Sequence, residues 1–181
     1  MPFSSQYSKV CGQCLKKTPP FSKAIIFGLY EGALAEAINQ MKFNRVKRLS
    51  KPLGRLLVSL DLPFADGIVP VPLDMKKLCE RGFNQSLLMA MVISKMMRTP
   101  LLMDILLKKK VTPPQIGLSA KERLSNLKNS FRVKGDIKGL SLLLVDDVMT
   151  TGATVTECSK ELMKAGAKEV NILTLARSSM M

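Results

Sequence analysis

Two adjacent carboxylates, Asp146 and Asp147, close the apolar run LSLLLV and are followed by Val148-Met149 and then Thr150-Thr151-Gly152-Ala153-Thr154. A carboxylate pair can accept hydrogen bonds from neighbouring hydroxyls, or stabilise a cation that develops beside it, but it repels a bound anion. The turn that follows does the opposite. Its threonines supply hydroxyl donors and Gly152 allows a tight approach. If a helix begins there, its free backbone N–H groups and dipole favour a phosphate. Acids and turn in succession read as a cradle for a sugar phosphate, with hydroxyls on Asp146 and Asp147 and the 5-phosphate held by residues 149–154. The chain contains neither G-x-x-x-x-G-K-S/T nor G-x-G-x-x-G, so the competing nucleotide motifs are absent.

The remaining chemistry is narrow. There is no histidine, so acid–base work falls to Asp, Glu, Lys or Tyr. Four cysteines (Cys11, Cys14, Cys79 and Cys158) in a chain whose N-terminal stretch lacks the apolar core of a signal peptide argue against a disulfide framework. No apolar run approaches the ~20 residues that span a bilayer. The expectation is a cytoplasmic protein with no membrane insertion.

Net charge is +14, and it is uneven: residues 1–60 hold ten basic and two acidic residues. Such a field attracts polyanions, or simply keeps the surface solvated. The stretch KFNRVKRLSKPLGR (42–55) has six cations and no acid. On a helical projection Arg45, Arg48, Lys51 and Arg55 lie opposite Val46, Leu49, Leu53 and Leu56, with Pro52 interrupting. Together with Lys47 these cations read either as a DNA-backbone contact surface or as the wet face of a packed helix. Aromatic residues are 5% of the chain, with no Trp, so platforms for stacked bases look scarce.

Positioning elements follow from periodicity. A strand is expected at 24–30 and a helix over 31–43, where apolar positions 34, 38 and 41 share a face. A second helix should open near Pro52. GIVPVP (67–72) reads as a buried strand, followed by a loop, and 84–97 as a helix packed on several sides. A short apolar piece at 101–107 precedes an exposed, basic, proline-containing loop with a short helix from about 119. FRV (131–133) and LSLLLV (140–145) are strands. The next helix should bury Val155, Cys158, Leu162 and Ala165 and stop at Gly166. EVNILTLA (169–176) completes the sheet. This alternation predicts a single α/β domain with a mostly parallel sheet flanked by helices.

Val145–Thr154 resembles the phosphoribosyl pyrophosphate (PRPP) signature of type I phosphoribosyltransferases, and the wider chain is similar to the ComF family of competence-associated proteins. Three blocks carry the wider likeness: CGQC through MKF, VPVPLDMKKLCERGFNQS, and KKKVTPPQIGLSAKERLSNLKNSFRV. The resemblance implies a type I phosphoribosyltransferase fold over 24–181. It also implies PRPP as ligand with Mg²⁺, and transfer of ribose 5-phosphate to an acceptor with release of pyrophosphate. Asp146 and Asp147 would be the catalytic pair, and Val148, Met149, Thr150, Thr151, Gly152, Ala153 and Thr154 the phosphate grip. Lys76, Lys77 and Arg81 would hold the pyrophosphate, while Lys108, Lys110 and Arg123 would belong to a hood loop, 108–126, that closes over it. The alternative is an adaptor without turnover that binds PRPP or single-stranded DNA, acting with competence and DNA-processing proteins.

This chain departs from the family in three places. Lys108 and Lys110 stand where arginines are common at the hood, and lysine cannot make the same bidentate contact. Asp74-Met75 stands where the family often has His-Pro. Residues 1–23 carry one pair, Cys11 and Cys14, where the family commonly has a four-cysteine zinc ribbon. A structural Zn²⁺ wants four ligands, so the pair reads as a degenerate zinc site, a site shared between two chains, or two free thiols.

Overall fold

The computed structural model describes residues 18–109 and 129–178. The expectations placed on Cys11, Cys14, Lys110 and Arg123, and on most of the segment 108–126, lie outside the described residues.

In chain order the elements are β1 (Lys23–Leu29), α1 (Gly32–Lys42), a 3₁₀ turn (Lys47–Leu49), α2 (Ser50–Val58), β2 (Gly67–Pro70), α3 (Met75–Arg81) and α4 (Gln85–Met97). Then come β3 (Leu106–Lys108), β4 (Phe131–Val133), β5 (Ser141–Met149), α5 (Ala153–Lys164) and β6 (Glu169–Arg177). Four strands form a parallel sheet in the order β1-β6-β5-β2, while β3 and β4 pair as a separate antiparallel ribbon. The expected α/β fold with a mostly parallel sheet is what forms. The last strand does not sit at an edge: β6 lies between β1 and β5.

Both faces of the sheet are covered, which is why LLLV in β5 reads as an unbroken apolar run. Leu143 and Val145 join Ile38, Met41, Leu53, Leu57, Met89 and Ile93 from α1, α2 and α4. Leu142 and Leu144 join Val155, Cys158 and Leu162 of α5, with Leu106 and Phe131 of the ribbon. α4, which comes after β2 and the short α3, and α5, which follows β5, thus pack on opposite faces. That leaves a crevice at the carboxyl ends of these neighbouring strands, where ligands bind in open α/β sheets.

Several boundaries differ from the sequence expectation. β5 does not end at Val145 but runs to Met149, so the two acids lie inside the strand. The segment after VPVP is not all loop: α3 occupies 75–81. The block R-G-F-N-Q has a local explanation. Gly82, at φ +76°, stops α3 in the left-handed region that disfavours a side chain. Phe83 is buried. Asn84 caps α4 by accepting from the N–H groups of Ser86 and Leu87, and its own Nδ2 donates to the Val71 carbonyl at 3.0 Å.

The basic stretch is not one helical stripe either. α2 opens at Ser50, behind a 3₁₀ turn, and the break lies upstream of Pro52, where Arg45 takes φ +56°. Leu56, expected on the apolar face, is exposed, and so is Ala165 at the end of α5. Among the described residues no helix is long and apolar enough to cross a membrane.

Candidate functional site

Successive residues of a strand point to opposite faces, and Asp146 and Asp147 obey this rule. Asp146 follows Leu142 and Leu144 toward α5. It lines a small polar pocket with Val148, Met149, Thr150, Gly152, Ala153, Thr154 and Val155. The wall is the first turn of α5. Its N-cap, Gly152, has φ +77° and no side chain to cap the helix. Among the described residues, only Ala153 N–H in this turn finds a side-chain acceptor, the Thr151 hydroxyl at 3.4 Å. An N-terminus left open in this way presents partial positive charge and donors to whatever enters.

Asp146 is 9% exposed and Asp147 4% exposed, a costly placement for two charges. The fold offsets part of that cost. Asp146 Oδ1 accepts from the Ser86 hydroxyl at 3.1 Å and from Asp147 N–H at 2.9 Å. Asp147 Oδ1 accepts from Val148 N–H at 2.7 Å. On the far face Lys42, at the end of α1, brings Nζ within 2.9 Å of Asp147 Oδ2. No directed hydrogen bond reaches that oxygen, so the contact is one of charge. Burial first, and then the Asp147 charge, raise the Asp146 carboxyl from its ordinary value to about 7.

The signature residues therefore come together unevenly: Asp146 and the turn share the pocket, whereas Asp147 is turned to Lys42. Lys42 and Ser86 were not singled out from sequence. Lys42 sits in the M-K-F block as one of many cations, and nothing local marks its partner.

Three of the other sequence-derived cations, Lys76, Lys77 and Lys108, lie on the segments about Asp74. Lys76 and Lys77 are exposed on α3. Lys108, at the base of the hood segment, approaches Asp74 Oδ2 at 3.8 Å and lies 6.0 Å above the Phe131 ring. Burial lowers the Lys108 pKa, against the opposing pull of Asp74. Cys158, buried in α5, feels both Asp146 and Lys108; burial and the Asp146 charge push its thiol well up, which makes it a packing group and no nucleophile.

Arg81 and the 42–55 stretch meet elsewhere. Arg81 stacks at 5.8 Å over Phe43, Lys47 lies 5.3 Å above Phe83, and Arg45 Nη2 donates to the Glu80 carbonyl at 2.6 Å. Arg48, Lys51 and Arg55 are exposed.

A family model described as the phosphoribosyl transferase domain matches residues 84–179, from the cap of α4 through β6. The chain belongs to that family. Within it, the chain is 37% identical to competence protein F of Haemophilus influenzae, over 95% of this chain and 80% of that protein. It is 36% identical to the DNA utilization protein YhgH of Salmonella typhi, over 93% of this chain and 78% of the relative. Competence protein ComFC of Bacillus subtilis is 32% identical over 80% of this chain, which spans 55% of that longer protein.

The likeness in fold extends to solved structures. Glutamine PRPP amidotransferase from B. subtilis superposes with a TM-score of 0.55 at 22% identity, over 75% of this chain. A second structure, an allosteric regulatory enzyme of purine biosynthesis, gives 0.56 at 22% identity over 76%. This chain spans 30% of each of those larger chains. The phosphoribosyltransferase fold expected from the signature is thus the fold present, and this ComF-type chain keeps its acids and turn at the crevice.

Proposed function

We propose that this ComF-type phosphoribosyltransferase-like protein binds PRPP and transfers its ribose 5-phosphate to an acceptor with release of pyrophosphate, in the cytoplasm. One observation carries the reading: a buried carboxylate, Asp146, shares a small pocket with the uncapped N-terminus of α5. Few ligands need both groups. A phosphate alone would be repelled by the acid, and a sugar alone would leave the N–H groups unused. A sugar phosphate satisfies the two.

In this reading the turn 149–154 grips the 5-phosphate while Asp146 accepts hydrogen bonds from the ribose hydroxyls. The same carboxylate would stabilise positive charge that builds on the ring as the bond to pyrophosphate lengthens. Asp147, held by Lys42, would stiffen the strand beneath Asp146 and add negative potential. Among the described residues no three of His, Cys, Asp or Glu converge as a metal site, and the two acids diverge. The PRPP diphosphate would therefore bring Mg²⁺ on its own oxygens, which spreads the charge of the leaving group. In this reading Lys76, Lys77 and Lys108 would hold that group as it departs.

The test is calorimetric titration of PRPP, with and without Mg²⁺, into the wild type and an Asp146→Asn/Asp147→Asn variant. Saturable Mg²⁺-dependent binding that the variant loses is the expected result; equal binding by both would sink the cradle. Pyrophosphate release with bases, amines and ammonia as acceptors then separates transferase from PRPP-binding adaptor.

A second reading adds single-stranded DNA as a partner, a role in keeping with relatives named for competence and DNA utilization. The specific observation is Phe43, 69% exposed and stacked by Arg81, beside Lys47 on Phe83 and exposed Arg48 and Lys51. An aromatic face framed by cations can stack a base and hold its phosphates. Oligonucleotide binding whose affinity falls steeply with salt, and weakens on Phe43→Ala, is expected from it; salt-insensitive binding would remove it.

A further inference from the structure

Candidate pyrophosphate contacts from two distant segments, Lys76 and Lys77 on α3 and Lys108 on β3, meet around one acid. Asp74 Oδ2 stands 3.8 Å from Lys108 Nζ, while Asp74 Oδ1 accepts from Lys76 N–H at 3.0 Å. Lys77 is close enough for its charge to weigh against that of Lys108, which burial already disfavours. Lys108 is walled on another side by the Phe131 ring. Its ammonium is thus short of negative charge among the described residues, where the carboxylate that offers some, Asp74, is more than a quarter exposed.

We propose that Asp74, by holding Lys108, competes with the ligand's diphosphate for that cation and so sets how tightly the group is held. The inference rests on the PRPP reading above. A diphosphate entering against Lys76, Lys77 and Lys108 finds Lys108 already partly satisfied by Asp74, and must displace the carboxylate or bear its repulsion. A ligand without a diphosphate meets no such competitor. Asp74 is therefore a specificity-determining residue: it weakens the grip on pyrophosphate, the product that must leave, without touching the ribose 5-phosphate half of the pocket. Its second role, capping α3, hides this one, because loss of the side chain would also fray the helix.

The two roles can be separated. Asparagine caps a helix start as well as aspartate, so Asp74→Asn removes the charge and keeps the cap; Asp74→Ser does the same with a smaller side chain. Pyrophosphate, PRPP and ribose 5-phosphate are titrated calorimetrically, with Mg²⁺, into the wild type, Asp74→Asn, Asp74→Ser, Lys108→Met and Asp74→Asn/Lys108→Met. The expected result is a roughly three- to tenfold gain in affinity for pyrophosphate and PRPP in both Asp74 variants, the scale of one partly screened charge. Affinity for ribose 5-phosphate should stay the same. The gain should disappear in the Lys108→Met background. Pyrophosphate affinity that stays level or falls in folded Asp74→Asn and Asp74→Ser, while wild-type PRPP binding is normal, overturns the proposal and leaves the PRPP reading standing. Failure of the wild type to bind any of the three removes both.

Discussion

Lys42, the last residue of α1, and Asp147, the seventh residue of β5, form an ion pair of 2.9 Å whose side chains are 15% and 6% exposed. The pair joins the N-terminal part of the fold to the strand that carries the signature. Breaking such a pair from one side leaves a buried charge without compensation. Lys42→Met should destabilise the protein by about 3 kcal/mol, the low end of the range for one-sided loss of buried pairs. Lys42→Met/Asp147→Asn removes both charges and should recover most of that loss. Urea denaturation of the wild type, both single variants and the double variant measures it. Additive losses in the double variant would mean that the two residues do not interact.

A pH dependence follows from Asp146. Burial and the neighbouring Asp147 charge push its folded carboxyl up to about 7, against an ordinary value of 3.8. The folded state therefore holds a proton that the unfolded state releases. Between these values the unfolded chain carries fewer protons, so stability falls as pH rises. The contribution is complete below about pH 4 and is lost as pH passes through 7. Chemical denaturation at pH 5 and pH 8 should show lower stability at the higher pH. Asp146→Asn should flatten that difference, raise stability at pH 8 by about 1–2 kcal/mol by removing a poorly solvated charge, and abolish PRPP binding. A site that is destabilising on its own account is a common mark of function.

The parallel sheet and its flanking helices were legible because β5 and β6 are apolar on both faces and because Val155, Cys158 and Leu162 recur at helical spacing. The turn at Gly152 was legible for a related reason: phosphate chemistry there depends on backbone, and glycine and threonine advertise it locally. What sequence left out depended on distance. Lys42 and Ser86 reach the acids from elements far along the chain, and Lys42 is one of 28 basic residues. The alternation that sends Asp146 and Asp147 to opposite faces could have been inferred, but only once β5 was known to run past them to Met149. The short α3 was hidden because its length is set by caps at Asp74 and Gly82 instead of by an apolar stripe. The basic stretch failed as a helical projection because Arg45 leaves helical geometry, which its residue type does not announce.

Gly152 gives a prediction that separates backbone from side-chain chemistry in the pocket. Its φ of +77° lies where a Cβ is strained, and an added methyl would fall 2.9 Å from Met149 Cε. Gly152→Ala should cost about 1–2 kcal/mol of stability through the left-handed backbone. Relief of that strain would rotate the first turn of α5, moving the N–H groups of residues 153–155 off the phosphate position. Affinity for PRPP and for ribose 5-phosphate should then fall together by at least about tenfold, the value of one charge-assisted hydrogen bond, whereas pyrophosphate, held elsewhere, should bind as in the wild type. Calorimetry with the three ligands decides it. A parallel loss for pyrophosphate would show that the turn grips the diphosphate and not the 5-phosphate, and would reverse the orientation of the ligand in the crevice.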